Sequence, residues 1–211
     1  MKTLYSSTFL SLILAFLALM GKSGMPVIVV QDGPIPSFQT IIEPIGPALP
    51  PVAGEKIKVE VFNTFGCKAC NLFGQNALPD LVKEYTGSNT VDLHLYLVPD
   101  KANEGELFAA RGVQCAAKYD RFWDTVYKLY QTDALSSREV DLAGQELGFP
   151  VKEFRNCIGS QEFDGKIDED IAYAASRKIG QKPTILVNDT IMLGPQPIEN
   201  IDRIINKYLS K

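Results

Sequence analysis

Histidine is nearly absent from this sequence of 211 residues, in which His94 is the only one. Catalytic zinc sites usually draw on several imidazoles or carboxylates, so this scarcity argues against a zinc enzyme. Four cysteines are present, but only one close pair exists among them, and gaps of 44 and 41 residues separate the rest. Zinc ribbons need paired knuckles, so the spacing also disfavours a structural zinc site, and we predict that no metal is bound.

An excess of either charge is lacking too. The 21 Lys and Arg residues against 25 Asp and Glu residues leave a net charge of −4, which does not suggest nucleic acid or an anionic membrane surface as a partner. The shares of hydrophobic residues, 45%, and of charged residues, 22%, are close to the globular average. The roughly 160 residues that follow the N-terminal region suffice for one domain with its own core.

A long uninterrupted apolar run is missing as well. The stretch Leu4–Met20 is largely apolar, but its uninterrupted part, Leu12–Met20, is shorter than the roughly 20 residues of a membrane-spanning helix. It suits the apolar region of a signal peptide, although no clean cleavage site follows, so an uncleaved signal-anchor is the alternative. Residues 1–24 are therefore predicted to export the chain to the periplasm or the cell surface, as a signal peptide or as a membrane anchor.

Prolines crowd the segment that follows. The six prolines between Gln31 and Gly54 forbid a regular helix and favour an extended, semi-rigid chain. We interpret residues 25–54 as a tether that holds the folded domain off the membrane. Ordered coil packed on the surface of the domain is the alternative.

Residues 55–211 carry the patterns of one α/β domain. Strands are predicted at Lys56–Phe62, Thr90–Val98, Pro183–Val187 and Thr190–Leu193, the last two as a hairpin. One helix is predicted after the first strand to about Tyr85, with Pro79 inside it, and a closing helix at Pro197–Leu209. Between them no strand pattern appears, and five helical segments are predicted at Glu104–Tyr119, Asp120–Gln131, Ser136–Leu147, Val151–Ile158 and Ser160–Ile179.

Cys67 and Cys70 form a Cys-x-x-Cys pair directly after a predicted strand and at the start of a predicted helix. A helix N-terminus has unpaired N–H groups and about half a positive charge, which can lower a cysteine pKa from about 8.5 into the range of about 3.5–7.5. Because thiol–disulfide exchange needs a thiolate, this placement favours redox chemistry over a structural disulfide or half a metal knuckle. Cys67 at the exposed cap is the predicted attacking thiol and Cys70 the resolving thiol, and Lys68 between them adds a cation that favours the thiolate. No cofactor is predicted, because the cysteines carry the electrons.

Six features of the sequence together point to one family. They are Val59–Cys70, Pro79 within the first helix, Lys182–Asn188 before the hairpin, and, between them, Phe108–Arg111, Arg121–Trp123 and Leu147–Cys157. This combination resembles the DsbA-like branch of the thioredoxin-fold thiol–disulfide oxidoreductases over roughly Lys56–Leu209. The resemblance implies an α/β thioredoxin fold with a helical insertion at about 103–180.

The resemblance also implies roles for residues outside the pair. It implies a cis peptide bond before Pro183, beside the reactive disulfide, and a backbone at Lys182 that pairs with an extended client segment, as in strand addition. Relatives of this branch sometimes bridge the insertion with a second disulfide, so a Cys115–Cys157 bond is expected. Two unpaired buried cysteines are the alternative.

Two departures from the family pattern concern the surroundings of the thiols. Oxidase-type relatives commonly carry proline after the first cysteine, where this chain has Lys68 followed by Ala69. They often place a buried acid six residues before that cysteine, where this chain has Val61, and Glu60 should face the opposite side of the strand. The direction of electron flow therefore stays open, with oxidase preferred over reductase and isomerase.

The remaining candidates receive minor roles. His94 is predicted at the surface, on the polar side of the second strand, and the aromatic residues between 119 and 130 are predicted to pack in the core. Phe65, just before the cysteine pair, is predicted to line the groove beside Cys67.

The sequence thus predicts an exported thiol–disulfide oxidoreductase that exchanges a Cys67–Cys70 disulfide with the thiols of client proteins, with disulfide donation as the preferred direction. A membrane redox partner would reset the pair, and a monomer is expected. The alternatives are an extracytoplasmic reductase or isomerase and, from another class, a tethered binding module whose disulfide is merely structural.

Overall fold

A mixed five-stranded sheet lies at the centre of the computed structural model, which describes residues 40–42, 55–132 and 134–210. The strands are β1 (Thr40–Ile42), β2 (Ile57–Asn63), β3 (Val91–Leu97), β4 (Thr184–Val187) and β5 (Thr190–Leu193). Their spatial order is β1-β5-β4-β2-β3. β2 and β3 run parallel, and the other neighbours run antiparallel.

Helices connect and cover these strands. Within the described residues they are α1 (Lys68–Gln75), α2 (Ala77–Tyr85), α3 (Glu104–Ala117), α4 (Phe122–Tyr130), α5 (Ser137–Glu146), α6 (Val151–Ser160), α7 (Asp164–Ser176) and α8 (Ile198–Leu209). The predicted insertion is present as α3 to α7, between β3 and β4. Two of its predicted helices begin later than expected, because Asp120 (φ 57°) and Gln161 (φ 60°) adopt left-handed backbone conformations that interrupt a right-handed helix.

The helix predicted to run to Tyr85 is in fact two helices, α1 and α2, with a break at Asn76. Pro79 explains the break, because a proline has no N–H to donate to the carbonyl of residue 75 and its ring clashes with that carbonyl. Pro79 itself lies in the first turn of α2, where an N–H would have no partner within the helix.

The two faces of the sheet bury different residues of β2. Val59 and Val61 belong to the main core, which also takes in apolar residues of α2 and α8. Phe62 belongs to a smaller cluster on the other face, where α7 packs. Glu60 is also buried there, and it accepts a hydrogen bond from Tyr173. The prediction that Glu60 and Val61 face opposite sides is therefore confirmed.

Part of the predicted tether belongs to the sheet. Thr40–Ile42 forms β1 and pairs with β5, with Thr40 opposite Leu193 and Ile42 opposite Ile191. The interpretation of residues 25–54 as a tether is wrong for these three residues. No proline lies between Pro36 and Pro44, so this stretch keeps the backbone N–H groups that strand pairing needs.

The predicted signal peptide or signal-anchor, residues 1–24, lies outside the described residues, as does the rest of the tether. Within the described residues, no helix has both the length and the apolar character required to cross a membrane.

A bidentate ion pair joins the first and last helices of the insertion. The Arg111 side chain of α3, in a residue only 8% exposed, donates from Nε to Asp164 Oδ1 (2.7 Å) and from Nη2 to Asp164 Oδ2 (2.6 Å) at the start of α7. These hydrogen bonds from the guanidinium hold the pKa of Asp164 below its usual value.

Replacing Asp164 with asparagine is expected to lower the free energy of unfolding at pH 7 by about 2 kcal/mol, because it removes a charge-assisted pair and leaves a buried guanidinium short of acceptors. A lowered carboxyl pKa stabilises the fold above the unfolded-state value, about 3.9, and this contribution disappears as the pH falls through the folded-state pKa. Urea unfolding measured from pH 7 down to pH 3 should therefore show the two proteins converging below about pH 4.

Asp124→Asn is the matched control, because Asp124 pairs with Arg121 at an exposed position where an ion pair contributes little. A gap between the wild type and the Asp164→Asn variant that does not shrink in acid would contradict the expected linkage.

Candidate active site

The loop between β2 and α1 places the cysteine pair. β2 ends at Asn63, and Cys67 caps the N-terminus of α1 in an extended conformation (φ −95°, ψ 136°). Gly66, between them, has a φ of 77°, which a residue without a Cβ adopts at little cost. A Cβ at Gly66 would also lie 3.3 Å from Leu135 Cδ1, so the loop passes close against the segment before α5.

Cys67 and Cys70 are joined by a disulfide and differ sharply in accessibility. Cys67 is partly exposed, whereas Cys70 is fully buried. The Cys70 N–H donates to Cys67 Sγ at 3.0 Å, and the Asn71 N–H donates to the Cys67 carbonyl at 2.9 Å. The Cys67 sulfur therefore lies at the positive end of α1, where a negative charge on it would be stabilised.

The neighbours of the pair lie partly as predicted. Lys68 is exposed and Ala69 is partly exposed. Phe65 is only 1% exposed, and its ring centroid lies 4.6 Å from that of Tyr130. The prediction that Phe65 lines a groove beside Cys67 is wrong, because this aromatic packing holds the ring in the core.

The peptide bond between Lys182 and Pro183 is cis. Phe62 pairs with Thr184 across β2 and β4, so Pro183 lies beside the end of β2 from which the loop to Cys67 departs. The Pro183 carbonyl accepts from the Gly194 N–H at 2.9 Å. Lys182 donates from Nζ to the Val98 carbonyl at 2.8 Å, and no hydrogen bond within the described residues uses its backbone.

A carboxylate that the sequence did not single out supports the loop before Cys67. Glu106 Oε2 accepts from Thr64 Oγ1 (2.6 Å) and from the Asp100 N–H (2.9 Å), and Glu106 Oε1 accepts from Asn103 Nδ2 (3.1 Å). Asn103 and Glu106 form the N-cap and third-residue pair of α3, a pattern that the sequence shows. The contact with Thr64 spans 42 residues and has no local signal.

A cavity of about 680 Å³ opens beside this loop. Phe108 and Leu135 form its apolar lining, and its polar lining includes Asn103, Glu104 and Ser136. Leu135 thus contacts both this cavity and Gly66, the residue before Cys67.

The other two cysteines are also bonded. The sulfurs of Cys115 and Cys157 are 2.04 Å apart, and their Cα atoms are 6.0 Å apart, joining α3 to α6 within the insertion. Cys115 is fully buried and Cys157 is partly exposed.

His94 lies away from the cysteine pair, at the surface of β3. Its Nε2 is 3.0 Å from Asp92 Oδ2, and both side chains are about half exposed. The prediction of a surface position is confirmed.

The comparison with known proteins decides the family. A family model described as thioredoxin matches residues 54–207, about three quarters of the chain. The chain belongs to the thioredoxin family. The chain is also similar in sequence to a protein of Bacillus anthracis named probable disulfide bond formation protein D. The two are 26% identical over 164 residues, which cover 74% of this chain and 75% of that protein.

Two solved structures share the fold of this chain. The oxidised form of BdbD from Bacillus subtilis matches with a TM-score of 0.63 and 20% identity, over 77% of this chain and 96% of that one. DsbA from Chlamydia trachomatis matches with a TM-score of 0.61 and 18% identity, over 88% of this chain and 95% of that one. The predicted class, a DsbA-like thioredoxin fold within the thiol–disulfide oxidoreductases, is confirmed at the level of family and fold.

Proposed function

We propose that the protein is an extracytoplasmic thiol–disulfide oxidoreductase that donates its Cys67–Cys70 disulfide to client proteins. The observation that carries this proposal is the pairing of a partly exposed Cys67, at the N-terminus of α1, with a fully buried Cys70. A sulfur at that end is both reachable and stabilised as a thiolate, which makes it a good leaving group from a mixed disulfide.

Disulfide donation proceeds in two exchanges. A client thiolate attacks Cys67 Sγ, the Cys67–Cys70 bond breaks, and its electron pair goes to Cys70. A second client thiolate then attacks the client sulfur of the mixed disulfide, so that a client disulfide forms and Cys67 leaves as a thiolate. Two electrons pass from client to protein. A membrane redox partner that accepts them restores the Cys67–Cys70 bond.

The client segment lies along the loop that ends in Pro183. The Lys182 backbone has no partner among the described residues, so it offers one donor and one acceptor to an extended chain, as in strand addition. This loop and Cys67 both adjoin the end of β2, so a segment paired with Lys182 would present its cysteine to Cys67.

The environment of the pair also bears on the direction of electron flow. Lys68 follows Cys67 in the chain, and its positive charge favours the reduced, thiolate form over the disulfide. A pair whose reduced form is stabilised is a stronger oxidant, which supports donation over reduction. Lys68 is exposed and screened by solvent, so this influence is small.

The proposed location follows from the N-terminal sequence. Residues 1–24 act as a signal peptide or as an anchor, and the domain works in the periplasm or at the cell surface as a monomer. Disulfides persist in such oxidising compartments, which suits a chain whose four cysteines are all bonded.

The deciding experiment measures the equilibrium reduction potential of the Cys67–Cys70 pair in the full chain. The protein is equilibrated in glutathione buffers, its free thiols are alkylated, and the reduced and oxidised fractions of the pair are quantified by mass spectrometry. A value near about −120 mV is expected and identifies a disulfide donor. A value near about −270 mV would make the protein a reductase supplied with electrons by another protein. Failure to equilibrate at all would leave a binding module with a structural disulfide.

A further inference from the structure

The ring of Tyr130 lies against α1 behind the cysteine pair. Tyr130 ends α4 and is fully buried. A Cβ added to Gly74 would lie 2.2 Å from Tyr130 Cγ, so the first carbon of the ring sits directly on the backbone of α1 at Gly74. Gly74 and Cys70 are four residues apart in one helix and therefore lie on the same face. The ring is thus packed on the face of α1 that carries Cys70.

The hydroxyl end of the ring lies near the end of β2. It lies beside the side-chain amide of Asn63, the last residue of β2, and the phenol O–H has no acceptor among the described residues. Asn63 Nδ2 in turn lies 3.5 Å from the Cys70 carbonyl. The ring therefore runs from Gly74, at its Cγ, to Asn63, which contacts the backbone of Cys70.

This hydroxyl is buried, and its O–H finds no acceptor in the part of the chain that the structure describes. Among the described residues, only Tyr130 Oη and Asn71 Oδ1 are buried side-chain polar atoms that lack a hydrogen bond. Native proteins pair nearly all such groups, and an unpaired one is retained at a cost to stability. In the oxidised protein, therefore, the Tyr130 O–H is an unused donor in a ring that packs on the face of α1 carrying Cys70.

Cys70 needs such a donor when the disulfide opens. As an incoming thiolate bonds to Cys67 Sγ, the electron pair of the Cys67–Cys70 bond stays on Cys70, which becomes a thiolate in a fully buried position. An unpaired charge in an apolar interior is strongly unfavourable. Val61, which stands where related oxidases place an acid, is buried and apolar and offers no hydrogen bond.

We propose that the Tyr130 hydroxyl donates a hydrogen bond to the Cys70 sulfur as the disulfide opens. This inference rests on the proposed function and adds to it the group that stabilises the leaving thiolate. Burial raises the pKa of Tyr130 well above its usual value, so the phenol donates a hydrogen bond without losing its proton. The proton that Cys70 finally takes up comes from solvent, where the attacking thiol released its own.

The test compares Tyr130→Phe with the wild type in the full chain. Oxidised protein is mixed with excess dithiothreitol, samples are quenched with acid and alkylated, and the rate at which Cys67 and Cys70 become reduced is measured. The Tyr130→Phe variant is expected to react about tenfold more slowly, the effect of losing one hydrogen bond to a charged group. Tyr127→Phe, which removes the hydroxyl of a partly buried tyrosine in the same helix, should react at the wild-type rate.

Unfolding measurements separate this role from a structural one. Because the Tyr130 O–H has no acceptor among the described residues of the oxidised protein, Tyr130→Phe should be as stable as the wild type or more stable while it reacts more slowly. Equal rates for Tyr130→Phe and the wild type would overturn the inference, as would a slow variant that is also destabilised. A wild-type protein inert toward dithiothreitol at Cys67 and Cys70 would instead overturn the proposed function.

Discussion

Replacing Cys67 with serine is expected to reduce disulfide donation to the uncatalysed rate, and replacing Cys70 with serine is expected to trap clients. Cys67 is the partly exposed cysteine of the pair and Cys70 is buried, so without Cys67 a client thiolate has no accessible disulfide sulfur to attack. Without Cys70, the Cys67 thiolate can still attack the disulfide of an oxidised client and form a mixed disulfide, with the other client sulfur leaving as a thiolate, but no neighbouring thiol of the protein releases it. Donation is measured as the oxidation of a reduced, unfolded protein by the oxidised wild type and by the Cys67→Ser variant. Trapping is measured by incubating the reduced Cys70→Ser variant with a disulfide-containing client and resolving mixed disulfides on non-reducing gels.

A double variant at the other two cysteines is the matched control for this experiment. Cys115→Ala with Cys157→Ala leaves the loop between β2 and α1 intact, so it should retain donation at temperatures where it remains folded. If the Cys67→Ser variant still donated disulfides, or if the Cys70→Ser variant trapped no client, the Cys67–Cys70 bond would be structural and the binding-module alternative would stand.

The second large effect concerns stability. Removing both Cys115 and Cys157 is expected to lower the free energy of unfolding by about 4 kcal/mol, because their bond closes a loop across a sequence separation of 42 residues and restricts the unfolded chain. The bond also joins α3 to α6, so the loss should be largest in the insertion. Guanidinium unfolding under non-oxidising, non-reducing conditions measures the change.

The design of this experiment must separate the two disulfides. A Cys67→Ala, Cys70→Ala background contains only the Cys115–Cys157 bond, so the addition of a reductant to it should lower stability by the same amount. The variant with all four cysteines replaced by alanine should not respond to reductant. A loss below about 1 kcal/mol in both comparisons would show that the loop-closure argument fails for this insertion.

Much of the fold could be predicted because its signals are local. Alternation of apolar residues predicted β2 and β3 to within a residue or two, since one side of each strand faces the main core. The break at Asn76 was missed because Pro79 acts on the carbonyl four residues before it, and a helical pattern continues on both sides. β1 was missed because three residues among prolines carry no periodicity, and only pairing with β5 makes them a strand.

The same division between local and distant signals holds at the candidate site. The placement of Cys67 at a helix cap follows from a strand, a glycine and a helix within a few residues. The contacts that Tyr130 makes with Phe65 and Gly74 join segments more than fifty residues apart, so no local pattern in the sequence predicts them. Phe65 was misplaced for this reason, because its apparent position beside Cys67 gave no sign of the aromatic partner from α4.

Shortened forms of the protein should behave differently according to whether they retain residues 40–42. β1 occupies the outer side of β5, where it takes up the backbone groups of Ile191–Leu193. A chain that starts at Glu55 would leave that side of the hairpin bare, and a bare strand is a template for pairing with a second molecule. Soluble versions should therefore begin before Thr40, since a version trimmed to the family-matched region risks aggregating through its own sheet.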